Sequence, residues 1–128
     1  MEISIAPVEH KDMLSIYRLL KDSKALVTNS LIEDILEHIE KNVAIKLVVD
    51  SELAGVWMSK EEDEYVGLSF FFIREDMRCT TWSVKLFRTG VGCVSQDKPL
   101  MIAAKDTTGF DKYVTKIDDN LYAFKGFR

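Results

Sequence analysis

The spacing of hydrophobic positions changes several times along the chain, and each change marks an element. Ile3-Ser-Ile-Ala6 alternates and runs into Pro7, the pattern of a first strand closed by a turn. From Val8 to Lys21 the apolar residues Met13, Leu14, Ile16, Tyr17 and Leu20 recur at helical spacing with charges between them. A second amphipathic helix follows, carrying Leu31, Ile32, Ile35, Leu36 and Ile39 and closing near Lys41-Asn42. Its start is marked by Ser30 and Glu33, a serine that accepts from a backbone N–H and a glutamate that reaches back to the cap.

The period then drops to two. Val43 to Val49 is rich in branched residues, Asp50-Ser51 is turn chemistry, and Leu53 to Met58 is the hairpin partner. Lys60-Glu-Glu-Asp-Glu64 reads as a solvated tip. Tyr65 to Ile73 is apolar on both faces, as in a central strand covered by helices on each side. Thr80 or Thr81 caps a third helix with Trp82, Val84, Leu86 and Phe87, ending near Gly90. Leu100 to Ala104 is a short buried strand, Thr107 to Ile117 a fourth helix, and Leu121 to Phe124 a last strand. The predicted order is therefore β-α-α-β-β-β-α-β-α-β.

Composition narrows the options. A chain of 128 residues, 47% hydrophobic and 30% charged, is expected to be one globular domain. The net charge of −4 argues against a nucleic-acid partner, since affinity for a phosphate backbone comes from clustered Lys and Arg. No run approaches a membrane span, and Met-Glu-Ile-Ser-Ile lacks the basic and apolar regions of a secretion signal, so a cytoplasmic protein is expected. Cys79, Cys93, His10 and His38 show no metal-ligand spacing. Both cysteines read as free thiols, and both histidines lie among charged neighbours on helices with nothing to mark them as catalytic.

The element order resembles the GNAT superfamily of N-acyltransferases, and two stretches carry the resemblance in detail. The first is Arg78-Cys-Thr-Thr-Trp-Ser-Val-Lys-Leu-Phe87, placed where that family has Gln/Arg-x-x-Gly-x-Gly/Ala between its fourth strand and the helix whose N-terminal amides bind the pyrophosphate of acyl-CoA. Arg78 matches the first position. Thr81 and Ser83 replace the two small residues, which removes the close backbone approach that glycine permits, while Thr80, Thr81 and Ser83 bring hydroxyls. The second stretch is Asp106-Thr-Thr-Gly-Phe-Asp-Lys-Tyr113, with the spacing of the family's helix-opening Asn and its later Tyr. The usual Gly-Phe after that helix is Asp118-Asp119 here.

The resemblance implies a mixed, mostly antiparallel sheet flanked by helices. It further implies an acetyl-CoA site made by Ile73, Arg78, Thr80, Thr81 and Ser83, with main-chain N–H of the fourth strand holding the thioester oxygen while an amine attacks. In that scheme Tyr113 protonates the leaving thiolate and Glu64, at the mouth of the fourth strand, is the candidate base. Each residue also has a plainer reading. Arg78 is an exposed loop charge, Tyr113 packs its ring, Glu64 belongs to the solvated tip, Phe70 to Phe72 are core, and Trp82 is packing.

With both glycines missing, the chain is similar to the short bacteriophage-encoded members of the family. It reads as a degenerate member whose acyl-CoA binding is weak or lost, a virion-associated or host-directed protein with a protein partner, in the host cytoplasm or the virion. The alternative is an active small N-acetyltransferase using acetyl-CoA. An RNA-binding sandwich is disfavoured by the acidic balance.

Overall fold

The computed structural model describes residues 2–22, 31–78, 80–94, 96–103 and 111–126. Seven strands form one sheet in the order β1-β2-β3-β4-β5-β7-β6. In chain order they are β1 (Ile3–Pro7), β2 (Val43–Val49), β3 (Glu52–Glu61), β4 (Val66–Ile73), β5 (Leu100–Ala103), β6 (Val114–Asp118) and β7 (Leu121–Phe124). The helices are α1 (Met13–Asp22), α2 (Leu31–Lys41) and α3 (Thr81–Cys93). No helix among the described residues is long and apolar enough to cross a membrane.

β1 to β4 form an antiparallel meander, and the β2–β3 turn puts Asp50 and Ser51 at φ of 50° and 68°, the backbone of a tight hairpin. Among the described residues, only β4 and β5 pair in parallel.

β3 sorts the core into two. Val56 and Met58 pack with Ile16 and Leu20 of α1 and Ile35 of α2, whereas Trp57 packs with Leu86 of α3. Because successive side chains on a strand point to opposite faces, α1 and α2 cover one side of the sheet and α3 the other. β4 obeys the same division and is apolar on both sides, as its sequence predicts. Leu68, Phe71 and Ile73 face the α3 cluster, and Phe70 and Phe72 the α1–α2 cluster.

The predicted fourth helix is not formed over its second half. Asp111–Tyr113 is a single 3-10 turn and Val114–Asp118 is strand β6, paired antiparallel with β7. Val114, Thr115 and Ile117 are β-branched, and Asn120 takes a φ of 61° in a tight turn to β7, so a hairpin satisfies this stretch better than a helix. Asp106, Ser30 and Cys79 lie outside the described residues.

Candidate functional site

The middle of β4 is where the sheet opens. The parallel register with β5 runs Val66↔Leu100, Gly67↔Met101, Leu68↔Ile102 and stops there, while β4 continues to Ile73. Among the described residues, Ser69 to Ile73 therefore have no strand partner on that edge. The register with β3 slips at the same point, from Met58↔Phe70 to Ser59↔Leu68, so Ser69 has no partner opposite it. A slip of this kind is a bulge, and it turns the local main chain out of the ladder. It also explains why Ser69 and Phe70, consecutive residues, both face α2.

Ser69 is exposed, and its hydroxyl lies 2.8 Å from Nε2 of His38 on α2. His38, which lies among charged neighbours in the sequence, is only 5% exposed, with the ring of Phe70 edge-on at 5.6 Å. His38 Nδ1 donates to the carbonyl of Asp34 at 2.6 Å. A carbonyl can only accept, so Nδ1 carries a proton, and in that tautomer Nε2 accepts from the Ser69 hydroxyl. Sequence reading missed this pair. The available signal was a serine interrupting an apolar run, together with a histidine three residues after Ile35 on the apolar face of its helix.

β4 ends in a second cluster. The Arg78 side chain donates from Nε to the carbonyl of Ile73 at 2.9 Å, so that carbonyl is already satisfied while Ile73 itself is buried. Thr80 occupies the position before α3 but does not cap it, because its hydroxyl donates backwards to the carbonyl of Met77 at 2.7 Å. Ser83 donates its hydroxyl to the carbonyl of Thr80, also at 2.7 Å. Both protons are thus committed to backbone, and these two hydroxyls have only lone pairs to offer an anion. Thr81 is exposed, and no side chain caps the first amides of α3, of which that of Ser83 donates to the Thr80 carbonyl at 3.2 Å.

Arg78 also lines a cavity of about 650 Å³ between α1, the β2–β3 turn and the β4–α3 segment, together with Arg18, Glu52 and Arg74. Arg74 is held by Asp76 in a two-point contact of 2.6 and 2.9 Å, with Glu52 at 3.5 Å. Neither Arg18 nor Arg78 has a carboxylate within ion-pair distance among the described residues, although Glu75 lines the same cavity.

The remaining predicted residues are not brought to this place. Glu64 is exposed in the β3–β4 loop, before the paired end of β4 and therefore at the opposite end from the open run. Tyr113 is half-buried at the start of β6, with Lys112 Nζ 5.0 Å over its ring. β6 runs antiparallel to β7 and β7 to β5, so Tyr113 also sits at the paired end, two strands removed from β4. The roles of base and acid expected for Glu64 and Tyr113 do not fit these positions. Trp82 is packed against the α3-side core, with Lys85 Nζ 4.5 Å over its ring. Phe71, Phe87 and Phe124 form a row on the same side, with ring centres 5.2 and 5.4 Å apart.

No protein-family model matches the chain, and no curated protein matches it in sequence. Solved structures do. The chain is similar to Ard1 from Thermoplasma volcanium, with a TM-score of 0.75 and 18% identity over 96% of this chain and 95% of that one. It is similar to a GNAT-family acetyltransferase from Bacillus cereus, with a TM-score of 0.72 and 12% identity over 100% of both chains. A GNAT-family acetyltransferase from Brucella melitensis, solved in complex with acetyl-CoA, gives a TM-score of 0.71 at 13% identity over 96% of this chain and 87% of that one. The fold is that of the GNAT acyl-CoA N-acyltransferases, a mixed α+β sheet of seven strands flanked by helices.

Proposed function

We propose that the chain binds an acyl thioester of the acetyl-CoA class along the open edge of β4 and transfers the acyl group to an amine. The observation that carries this reading is the succession, from β4 into α3, of the Ser69 bulge, the end of β4–β5 pairing, and a helix start that no side chain caps. A bulged edge offers main-chain N–H to a carbonyl oxygen, and a helix start offers N–H and a favourable dipole to a phosphate. Arg78 lies two residues before Thr80, which opens the second of these, and lines, with Arg18, the cavity at the end of β4.

A second reading has its own support. With the Thr80 and Ser83 protons committed to backbone carbonyls and no glycine from Arg74 to Lys85, the pyrophosphate grip is reduced. Taken to its limit, this gives a member of the fold that has lost acyl-CoA and serves a protein partner, a virion or host component.

Thermal unfolding with acetyl-CoA separates the two. Ligand at 100 times its dissociation constant stabilises by about 2.7 kcal/mol, and the acyltransferase reading expects a rise in Tm that Arg78→Ala diminishes. No rise at millimolar acetyl-CoA overturns that reading in favour of the second.

A further inference from the structure

The Ser69–His38 pair carries more than a structural hydrogen bond. A buried imidazole needs its nitrogens satisfied, and its hydrogen bonds meet that need. Three features go beyond it. Ser69 is the exposed residue of the pair. The ring is fixed in the tautomer that accepts from it, with 2.6 Å to the Asp34 carbonyl on one side and 2.8 Å to the hydroxyl on the other. The serine is also the bulged residue of β4 itself, at the point where pairing with β5 ends. A nucleophile within hydrogen-bond reach of a base, a third group orienting that base, and main-chain donors released from a ladder make up the constellation of acyl transfer through an enzyme ester.

We propose that Ser69 is a catalytic nucleophile which takes the acyl group from a thioester, with His38 as its base and the Asp34 carbonyl positioning the ring. That the thioester is an acyl-CoA rests on the function proposed above; the reactivity of Ser69 does not. As Oγ bonds to the carbonyl carbon, its proton passes to His38 Nε2, and the negative oxygen is held by N–H groups of the bulged edge. The C–S bond then breaks, the thiolate takes the proton back from Nε2, and an acyl-serine ester and a free thiol result. An amine, or water, next attacks the ester carbonyl and gives its proton to Nε2. The C–Oγ bond breaks, Oγ recovers that proton, and the products are an amide, or an acid, and free serine. The charge on the ring is transient, and the imidazole is neutral at the end of each half.

The test uses the full chain with two donors, acetyl-CoA and p-nitrophenyl acetate, the second needing no nucleotide site. Rapid acid quenching and peptide mass mapping are expected to find one acetyl group on Ser69 with either donor. Ser69→Ala removes it, and Ser69→Cys moves it to the new thiol. His38→Gln slows labelling about 100-fold or more, the usual scale of a lost general base. Because His38 is buried, its variant is interpreted only at an unchanged Tm, and the exposed Ser69 variants keep the test decisive without it. Labelling by the ester alone supports the nucleophile and overturns acyl-CoA as donor. A rise in Tm with acetyl-CoA but no label on Ser69 from either donor overturns the nucleophile and leaves acyl-CoA binding standing. Neither label nor rise overturns both.

Discussion

Asp12 shows how one side chain fastens two elements. It ends the 3-10 turn His10–Asp12 that leads into α1, and its carboxylate accepts from the N–H of Glu9 at 2.8 Å and from Lys46 Nζ at 2.7 Å. Lys46 is on β2 with its side chain only 12% exposed, so the pair pins the start of α1 to the sheet. Burial pushes the Asp12 carboxyl up, but the Lys46 contact and the Glu9 N–H outweigh it and hold the group below the usual aspartate range. A carboxyl depressed on folding stabilises the native state above its ordinary value of about 3.9 and loses that contribution as pH falls through the lower folded value. Asp12→Ala is therefore expected to cost about 2 kcal/mol at neutral pH, since it leaves Lys46 without its closest carboxylate. The difference from wild type should shrink as pH falls from about 4 through the lower folded value, below which neither chain carries a charge at that position. Urea unfolding at neutral and acid pH checks it; an equal gap at both would show that the charge is not what matters. Residues of this kind are hard to read from sequence. Asp12 and Lys46 are 34 positions apart, as His38 and Ser69 are 31, and nothing local links either pair. Arg78 was legible as a residue but not in its partner, because the Ile73 carbonyl becomes a target only once β4 has ended.

At the scale of elements, α3 is placed by a missing side chain. A Cβ on Gly90 would lie 2.2 Å from the Trp57 indole, so the helix can approach β3 only with glycine there. Trp57 is fully buried and is also wedged edge-on against Phe87, with ring centres 6.5 Å apart, so the rigid indole has nowhere to move. Gly90→Ala should cost about 3 kcal/mol through overpacking, despite the better helix propensity of alanine, whereas Gly92→Ala, with nothing within 4 Å, should be neutral or slightly stabilising. Chemical denaturation of the two variants compares them directly, and equal effects would remove this account of how α3 is seated. Gly90 reads in sequence as a helix terminator, yet α3 continues to Cys93, because a packing requirement and a stop signal use the same residue. The elements with strong periodicity, β2 and α2, are legible almost to the residue, whereas the first helix, expected from Val8, begins only at Met13 after the 3-10 turn His10–Asp12. β6 was not, since Asp-Lys-Tyr-Val-Thr-Lys-Ile satisfies a short helical spacing and a strand alternation together, and its pairing with β7 decides between them.

Across the whole molecule, the sheet consists of two parts joined by a short seam. The meander of β1–β4 carries the α1–α2 cluster alone, whereas the α3-side cluster also takes in Leu100 and Ile102 of β5 and Val114 of β6, and β5 joins the meander through three parallel register pairs. Residues 115–118 of β6 are all exposed, whereas Val56, Trp57 and Met58 of β3 are completely buried. Local opening follows burial of apolar contacts, so amide exchange in the free protein should be slow in β2 and β3 and faster in β6 and β7. The seam gives acyl-thioester binding a distinctive signature. A ligand lying along the open edge touches β4 beyond Leu68 and the start of α3, so acetyl-CoA is expected to slow exchange in peptides spanning 69–73 and 80–85 and to leave β1 and β2 unchanged. Because the ligand would also bridge the two parts, protection should extend to β5, which no contact within the meander provides. Hydrogen exchange read by mass spectrometry resolves these regions. Protection confined to the cavity between α1 and the β2–β3 turn would place the ligand on the arginines alone, and would separate anion binding from the bulged strand on which the proposed chemistry depends.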